Sequence, residues 1–221
     1  SSVALQSRFA TGYYRHARPD AMSPWAEHQH PSKDDSLRMT KSKLHLGCGD
    51  VIKDGWLNHD LAALVGVDVV HDLQEFPWPF EDGQFEEVYM KDVLEHLPDT
   101  IATLEELHRI TKPGAKVYIG VPYWNSMVAF GDPTHVKSFN EFCFDFFDPT
   151  NWQCKARPYY STARFYIRRM GVWVTPFEAI IPRRFTRDFL IFNPVGKKLF
   201  LALASVFCNV VSGLDVHLER A

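Results

Sequence analysis

The chain holds 221 residues, 46% of them hydrophobic and 23% charged, with a formal charge of −3. Such values suit a single globular domain with a sizeable core and give no global attraction to nucleic acid. Four scattered cysteines (Cys48, Cys143, Cys154, Cys208) show neither Cys-x-x-Cys zinc spacing nor a disulfide framework. No apolar run reaches the roughly 18 residues that a membrane span needs, so a reducing, cytoplasmic setting is expected.

Residues 1–40 are polar, with Pro, His and charge but no sustained periodicity. They read as a flexible extension ahead of a domain over 41–221. Met39 stands just before the first strand as a candidate natural start. His28 and His30 have no third or fourth ligand nearby, and no metal is expected there.

From Lys43 the pattern changes. Lys43-Leu44-His45-Leu46 reads as a short buried strand running into the glycine turn Gly47-Cys48-Gly49-Asp50. Trp56–Asp60 and Val67–Asp72 follow as strands that each end in an acid, and Phe85–Met90 as a fourth. Pro98-Asp99 open a helix whose Ile101, Leu104, Leu107, His108 and Ile110 recur at spacings of three and four, with Pro113-Gly114 as its stop. Ala115–Val121 is a fifth strand. Strands and helices that alternate in this way predict a parallel sheet covered on both faces.

Beyond Pro122, Tyr123–Lys137 reads as a long loop of polar and aromatic residues, a type that is often functional. A short aromatic-faced helix is expected over 140–147, a strand over 164–174, an apolar helix over 194–211 and a final strand over 214–219. Arg157, Arg164, Arg168, Arg169, Arg183, Arg184, Arg187, Lys197 and Lys198 make the last third basic. Beside the apolar helix they mark a solvated face, or a peripheral contact with anionic lipid. The helix itself suits a core position or a homodimer contact better than a membrane one.

The glycine turn sits where open α/β sheets bind ligands, at a strand's carboxyl end. Asp60 and Asp72 end successive strands just beyond it. One carboxylate there can accept from a ribose diol and the second from an adenine amine, although each acid could instead cap a turn. A nicotinamide fingerprint is not met, because Ile52 stands where Gly-x-Gly-x-x-Gly needs its third glycine and Asp60 comes too early.

Together, Leu44-His45-Leu46-Gly47-Cys48-Gly49, Gly55–Asp60, Val69–Leu73 and Val93-Leu94-Glu95-His96-Leu97 resemble class I S-adenosylmethionine-dependent methyltransferases, and within them the type 11-like branch with a short first crossover. Phe85–Val88, Glu106–Gly114 and Gly131-Asp132-Pro133-Thr134-His135 extend the resemblance, which covers residues 43 to about 147 well. It implies a Rossmann-like, doubly wound, mostly parallel sheet with helices on both faces and an antiparallel C-terminal strand. It also implies S-adenosylmethionine as cofactor, with S-adenosylhomocysteine as product, and no metal in cofactor binding.

By the same resemblance Gly47, Cys48 and Gly49 pass close to the methionine part, with the backbone near Lys91 holding its amino group. Asp60 takes the ribose hydroxyls, with Asp50 able to share the task, and Asp72 meets the adenine amine beside the Leu73 backbone. Only ten residues separate Gly49 from Asp60, and six separate Asp60 from Val67. A parallel crossover usually needs about a dozen or more, so thin helical cover is expected on that side.

Methyl transfer needs an aligned nucleophile and, for a hydroxyl, a base. His135 in the long loop is the first candidate, with Asp132 to orient its imidazole and His96 as the alternative. Tyr123 and Trp124 are candidates for a substrate wall. Tyr123-Trp124-Asn125 follows the fifth strand, whereas the Asn-Pro-Pro-Tyr motif of nucleic-acid amino methyltransferases follows the fourth. The expected reaction is methyl transfer to an oxygen, less readily a nitrogen, of a small molecule or glycan. The competing class is a non-catalytic cofactor-binding partner subunit.

Overall fold

The computed structural model describes residues 41–174 and 189–221. The N-terminal extension and Arg183, Arg184 and Arg187 lie outside these. Among the described residues there are eight strands: β1 (Lys43–Leu46), β2 (Leu57–Asp60), β3 (Val69–Val70), β4 (Phe85–Lys91), β5 (Thr111–Pro122), β6 (Phe165–Val174), β7 (Phe189–Ile191) and β8 (Gly213–Arg220). They form one sheet in the order β3-β2-β1-β4-β5-β8-β6-β7. β1 to β5 pair in parallel, β8 enters antiparallel between β5 and β6, and β7 closes the far edge antiparallel to β6. The expected Rossmann-like, mostly parallel sheet with an antiparallel C-terminal strand is what forms.

Register gives the sheet two chemically different faces. Leu44, Val88, Val117 and Leu218 lie side by side, as do Leu46, Met90, Ile119 and Val216 two residues on. Alternation along a strand puts both rows on one face. They share a buried core with Leu104, Leu107 and Ile110 of helix α1 (Thr100–Ile110). Asp99 starts that helix, its carboxylate accepting from the Ala102 N–H at 2.9 Å. The intervening row, His45-Tyr89-Tyr118-His217, faces the other way. There Tyr89 and Tyr118 stack at 4.5 Å, and the Tyr118 hydroxyl and Trp173 Nε1 both donate to Asp215, at 2.6 and 2.8 Å.

Among the described residues no helix lies between β1 and β4. Side chains take over the work of the missing helices. Asn58 accepts from the Lys53 N–H at 2.9 Å and donates to the Lys53 and Trp56 carbonyls. Asp68 accepts from the Asn58 N–H at 2.7 Å and pairs with Lys41 at 3.0 Å. A connection too short for a helix has unmet backbone groups, and these bonds satisfy them.

The rest of the chain departs from expectation in four places. The third strand shrinks to Val69–Val70, because Asp68 N and His71 N are taken by the Asn58 and Asp60 carbonyls outside a regular ladder. Residues 140–147 form successive turns rather than a helix. The Asn140 side chain accepts from the Phe142 N–H, and separate bonds of three-residue span follow, while Phe144 and Phe147 enter the core. A short helix α2 (Met127–Gly131) lies within the loop expected over 123–137, and a second, α3 (Trp152–Ala156), lies in a stretch with no expected element. The apolar helix, α4 (Pro194–Ala204), is shorter than expected and lies at the surface, with Val195 81% and Leu199 57% exposed. Among the described residues no helix is long and apolar enough to cross a membrane.

Candidate active site

β1 delivers Gly47 at its carboxyl end, and Gly47 and Gly49 both take positive φ, +61° and +52°. At Gly47 a Cβ would stand 2.2 Å from Val93 Cγ2, so glycine is needed both for the backbone angle and for close packing on the β4 end. At Gly49 an added Cβ meets nothing within 4 Å. That open side of the turn is a candidate cradle for a ligand. Cys48 is buried, and burial pushes its thiol up to about 11, so its part is played by the backbone.

Asp60 holds the turn in place. One carboxylate oxygen accepts from the Gly49 N–H at 2.7 Å and the other from the Ala62 N–H at 2.9 Å. The residue is only 5% exposed. Asp50 beside it is exposed. Asp72 is half-buried, one oxygen accepting from the Gln74 N–H at 2.9 Å, and Leu73 is buried with its carbonyl taken by Trp78 Nε1. Lys91 closes β4 with its ammonium 4.0 Å from Asp92, a non-glycine residue at φ +55°. Strained backbone of this kind is often found at ligand sites. The ends of β1 to β4 therefore converge on one edge, and its donors and acceptors fit an adenosyl amino acid: an open glycine turn, a half-buried acid two strands away on one side, and a cation on the adjacent strand at the other.

A cavity of about 600 Å³ opens at the opposite edge, beside Glu106 and Arg109. Arg109 there is already committed to Glu106, Asp82 and the Trp78 and Phe80 carbonyls. That end ties a loop down, and Arg109 there has its donors engaged.

Residues 69–119, which run from β3 into β5, match the family model of a methyltransferase domain. This stretch, about a quarter of the chain, is what is similar to a methyltransferase domain. A methyltransferase of Archaeoglobus fulgidus shares the fold at a TM-score of 0.51 and 15% identity, over 84% of this chain and 90% of that one. A Thermotoga maritima structure described as a possible histamine N-methyltransferase aligns at 0.49 and 12% identity, over 81% of each chain. No curated protein sequence matches the chain.

The candidate catalytic groups lie just after β4. A short 3-10 turn (Leu94–His96) carries Glu95 and His96. The Val136 and Lys137 N–H groups both donate to the Glu95 carbonyl, at 2.9 and 3.1 Å, which fastens the loop bearing His135 over this turn. The imidazoles of His96 and His135 meet edge to face at 4.7 Å. Asp132 works differently from the expectation. Its carboxylate accepts from the Thr134 N–H and from the Thr134 hydroxyl at 2.6 Å, and that hydroxyl lies 3.0 Å from His96 Nδ1. A hydroxyl has one proton; given to the carboxylate, it leaves Oγ1 to accept from His96 Nδ1–H. Asp132 thus orients His96 through Thr134. His135 Nδ1 is 3.0 Å from the Ala129 carbonyl, which can only accept. Both neutral rings therefore carry the proton on Nδ1 and a lone pair on Nε2.

Glu95 lies beneath them, and its importance was not legible in the sequence. Its side chain is 1% exposed and neither oxygen has a hydrogen-bond partner. Burial pushes its carboxyl up to about 8, with Asp92 and Asp132 adding to the rise. Burial likewise lowers His96, with His135 contributing. Tyr123 is a core residue whose hydroxyl donates to Glu141 at 2.9 Å, whereas Trp124 is 42% exposed.

The buried histidines of β1 and β2 make stability depend on pH. Burial lowers both His45 and His59 to about 4. His59 Nε2 donates to the His71 carbonyl while its Nδ1 is buried without a partner. Unfolded histidines take up protons near pH 6.5 that the folded pair refuses, so stability is complete above that pH. It should fall as pH drops toward about 4, with His59 accounting for about 3 kcal/mol. Urea unfolding at pH 7 and pH 4.5 checks this, and His59→Leu should flatten the dependence. An unchanged slope in that variant would remove His59 as the cause.

Proposed function

We propose that the chain is an S-adenosylmethionine-dependent methyltransferase that acts on a hydroxyl oxygen, less readily a nitrogen, of a small molecule or glycan. Bound S-adenosylmethionine supplies a methyl group activated by its sulfonium. Gly47, Cys48 and Gly49 lie under its methionine part through their backbone, with the backbone near Lys91 facing its amino group. Asp72 and the Leu73 backbone take the adenine. Asp60 retains lone pairs for the ribose hydroxyls, with exposed Asp50 able to share them. In the transfer, the acceptor oxygen forms its bond to the methyl carbon as the carbon–sulfur bond breaks. The electron pair stays on sulfur, giving S-adenosylhomocysteine, and the hydroxyl proton passes to an imidazole Nε2, His135 first and His96 second. Trp124 is an exposed wall for the acceptor, and Tyr123 supports it from the core.

The observation that carries this reading is the meeting, at one sheet edge, of an open glycine turn with two imidazoles fixed as Nδ1–H. Incubation with S-adenosylmethionine and a panel of sugars and nucleotide sugars is expected to release S-adenosylhomocysteine with at least one hydroxyl acceptor. His135→Ala should slow that release roughly 10²-fold. Cofactor binding without release for any acceptor would favour the non-catalytic partner reading. The exposed apolar side of α4 is reserved for a second copy of the chain or, second, for anionic lipid, and a cytoplasmic setting suits this activity.

A further inference from the structure

A carboxylate as deeply buried as Glu95 normally has a charge partner or several hydrogen bonds. Here both oxygens lack a hydrogen bond. The nearest counter-group, His135 Nε2, stands 3.9 Å from Oε1, beyond hydrogen-bond reach. The surroundings are nevertheless well ordered. Two backbone bonds lock the 136–137 segment onto the Glu95 carbonyl, the Ala129 carbonyl fixes one ring, and the Asp132–Thr134 relay fixes the other. One donor atom each from Glu95, His96 and His135 lies within 4.8 Å of the other two.

We propose that Glu95, His96 and His135 bind a divalent first-row transition-metal ion. Donor atoms about 2.1 Å from an ion stand roughly 3–4 Å apart, so small side-chain rotations would close the site. Two imidazoles and one carboxylate suit Zn²⁺, Fe²⁺, Mn²⁺ or Co²⁺, whereas Mg²⁺ and Ca²⁺ favour all-oxygen sets. Ligand histidines usually donate their second nitrogen to a carbonyl or to a carboxylate-linked group, and both rings here do so. Three protein ligands leave coordination positions open. On the methyl-transfer reading, on which this part rests, an acceptor hydroxyl would take one of them and release its proton to solvent more easily, in place of an imidazole base. His135 is then a ligand, and activity lost in His135→Ala reflects loss of the ion.

Titration of Co²⁺ into the full chain, without cofactor, tests the site through the ion's visible absorption. The expected result is saturation at one ion per chain with the intense spectrum of nitrogen and oxygen ligation. It should be lost in Glu95→Gln and in His135→Ala, and kept in Asp72→Ala and in the double variant His28→Ala/His30→Ala. Zn²⁺ should raise the melting temperature of wild type and leave that of His135→Ala unmoved. The proposal is overturned by an absent spectrum in wild type, by an unchanged one in folded His135→Ala, or by its loss in the His28/His30 variant. Should Glu95→Gln fail to fold, His135→Ala decides alone, since that loop side chain makes one hydrogen bond, to Ala129. A normal Co²⁺ spectrum with no S-adenosylhomocysteine release would leave the metal site standing and remove the transfer reading.

Discussion

Gly47→Ala is expected to be the most destabilising single change in the cradle. An alanine at φ +61° carries the left-handed backbone cost of about 1–2 kcal/mol. Its Cβ would also stand 2.2 Å from Val93 Cγ2, in a place where Val93 is only 4% exposed and has little room to move. Overpacking of that kind adds about 1–3 kcal/mol. The total, about 3 kcal/mol or more, is a large part of a domain's stability. Val93→Ala opens space for the new methyl. The double variant should therefore be more stable than the sum of the single losses predicts, by about 1 kcal/mol or more. Denaturant unfolding of the four proteins measures this coupling. Strict additivity would mean that the β4 end does not press on the turn.

Asp60→Ala should damage stability and cofactor affinity together. Its carboxylate holds the Gly49 and Ala62 N–H groups, and a hydrogen bond to a charged partner contributes about 1.5–3 kcal/mol. Removing both leaves two donors unmet in a site that is 5% exposed, so a loss of about 3 kcal/mol is expected. The glycine turn then loosens, and affinity for S-adenosylhomocysteine should fall ten- to a hundredfold. Asp60→Asn, which keeps one acceptor oxygen, should recover part of both. Affinity lost with no change in stability would mean that Asp60 serves the ligand alone and does not position Gly49.

The difference between these two residues shows what the sequence could and could not disclose. Gly47 and Gly49 stand out because Asp60 and Asp72 end the strands that follow their turn, and the structure gives both glycines a positive φ. β1, β4, α1 and β5 were legible because their apolar residues keep the period of the face that they bury. Asp60 stood out by its place at a strand end, but its bonds to Gly49 and Ala62 depend on the folded turn. Residues 140–147 misled because an aromatic spacing that suits a helix also suits a chain of turns once Asn140 binds its own backbone. Glu95 carried no signal of its own, since Leu-Glu-His-Leu fits a helix start equally well. Its isolation appears only when the loop bearing His135, forty residues on, folds over it. The Asp132–Thr134–His96 relay is hidden for the same reason, because it joins groups 38 residues apart.

The most direct measurement is a calorimetric titration of S-adenosylhomocysteine into wild type and Gly49→Ala. Among the described residues, an alanine at position 49 meets no atom within 4 Å beyond its chain neighbours, so its methyl is expected to disturb what occupies the cradle. Wild type is expected to bind one molecule per chain. Gly49→Ala is expected to lose no more than about 1–2 kcal/mol of stability, from its φ alone, while its affinity falls about a hundredfold, close to 3 kcal/mol. No binding to wild type, or equal affinity in the two proteins, would contradict a cofactor seated on this turn.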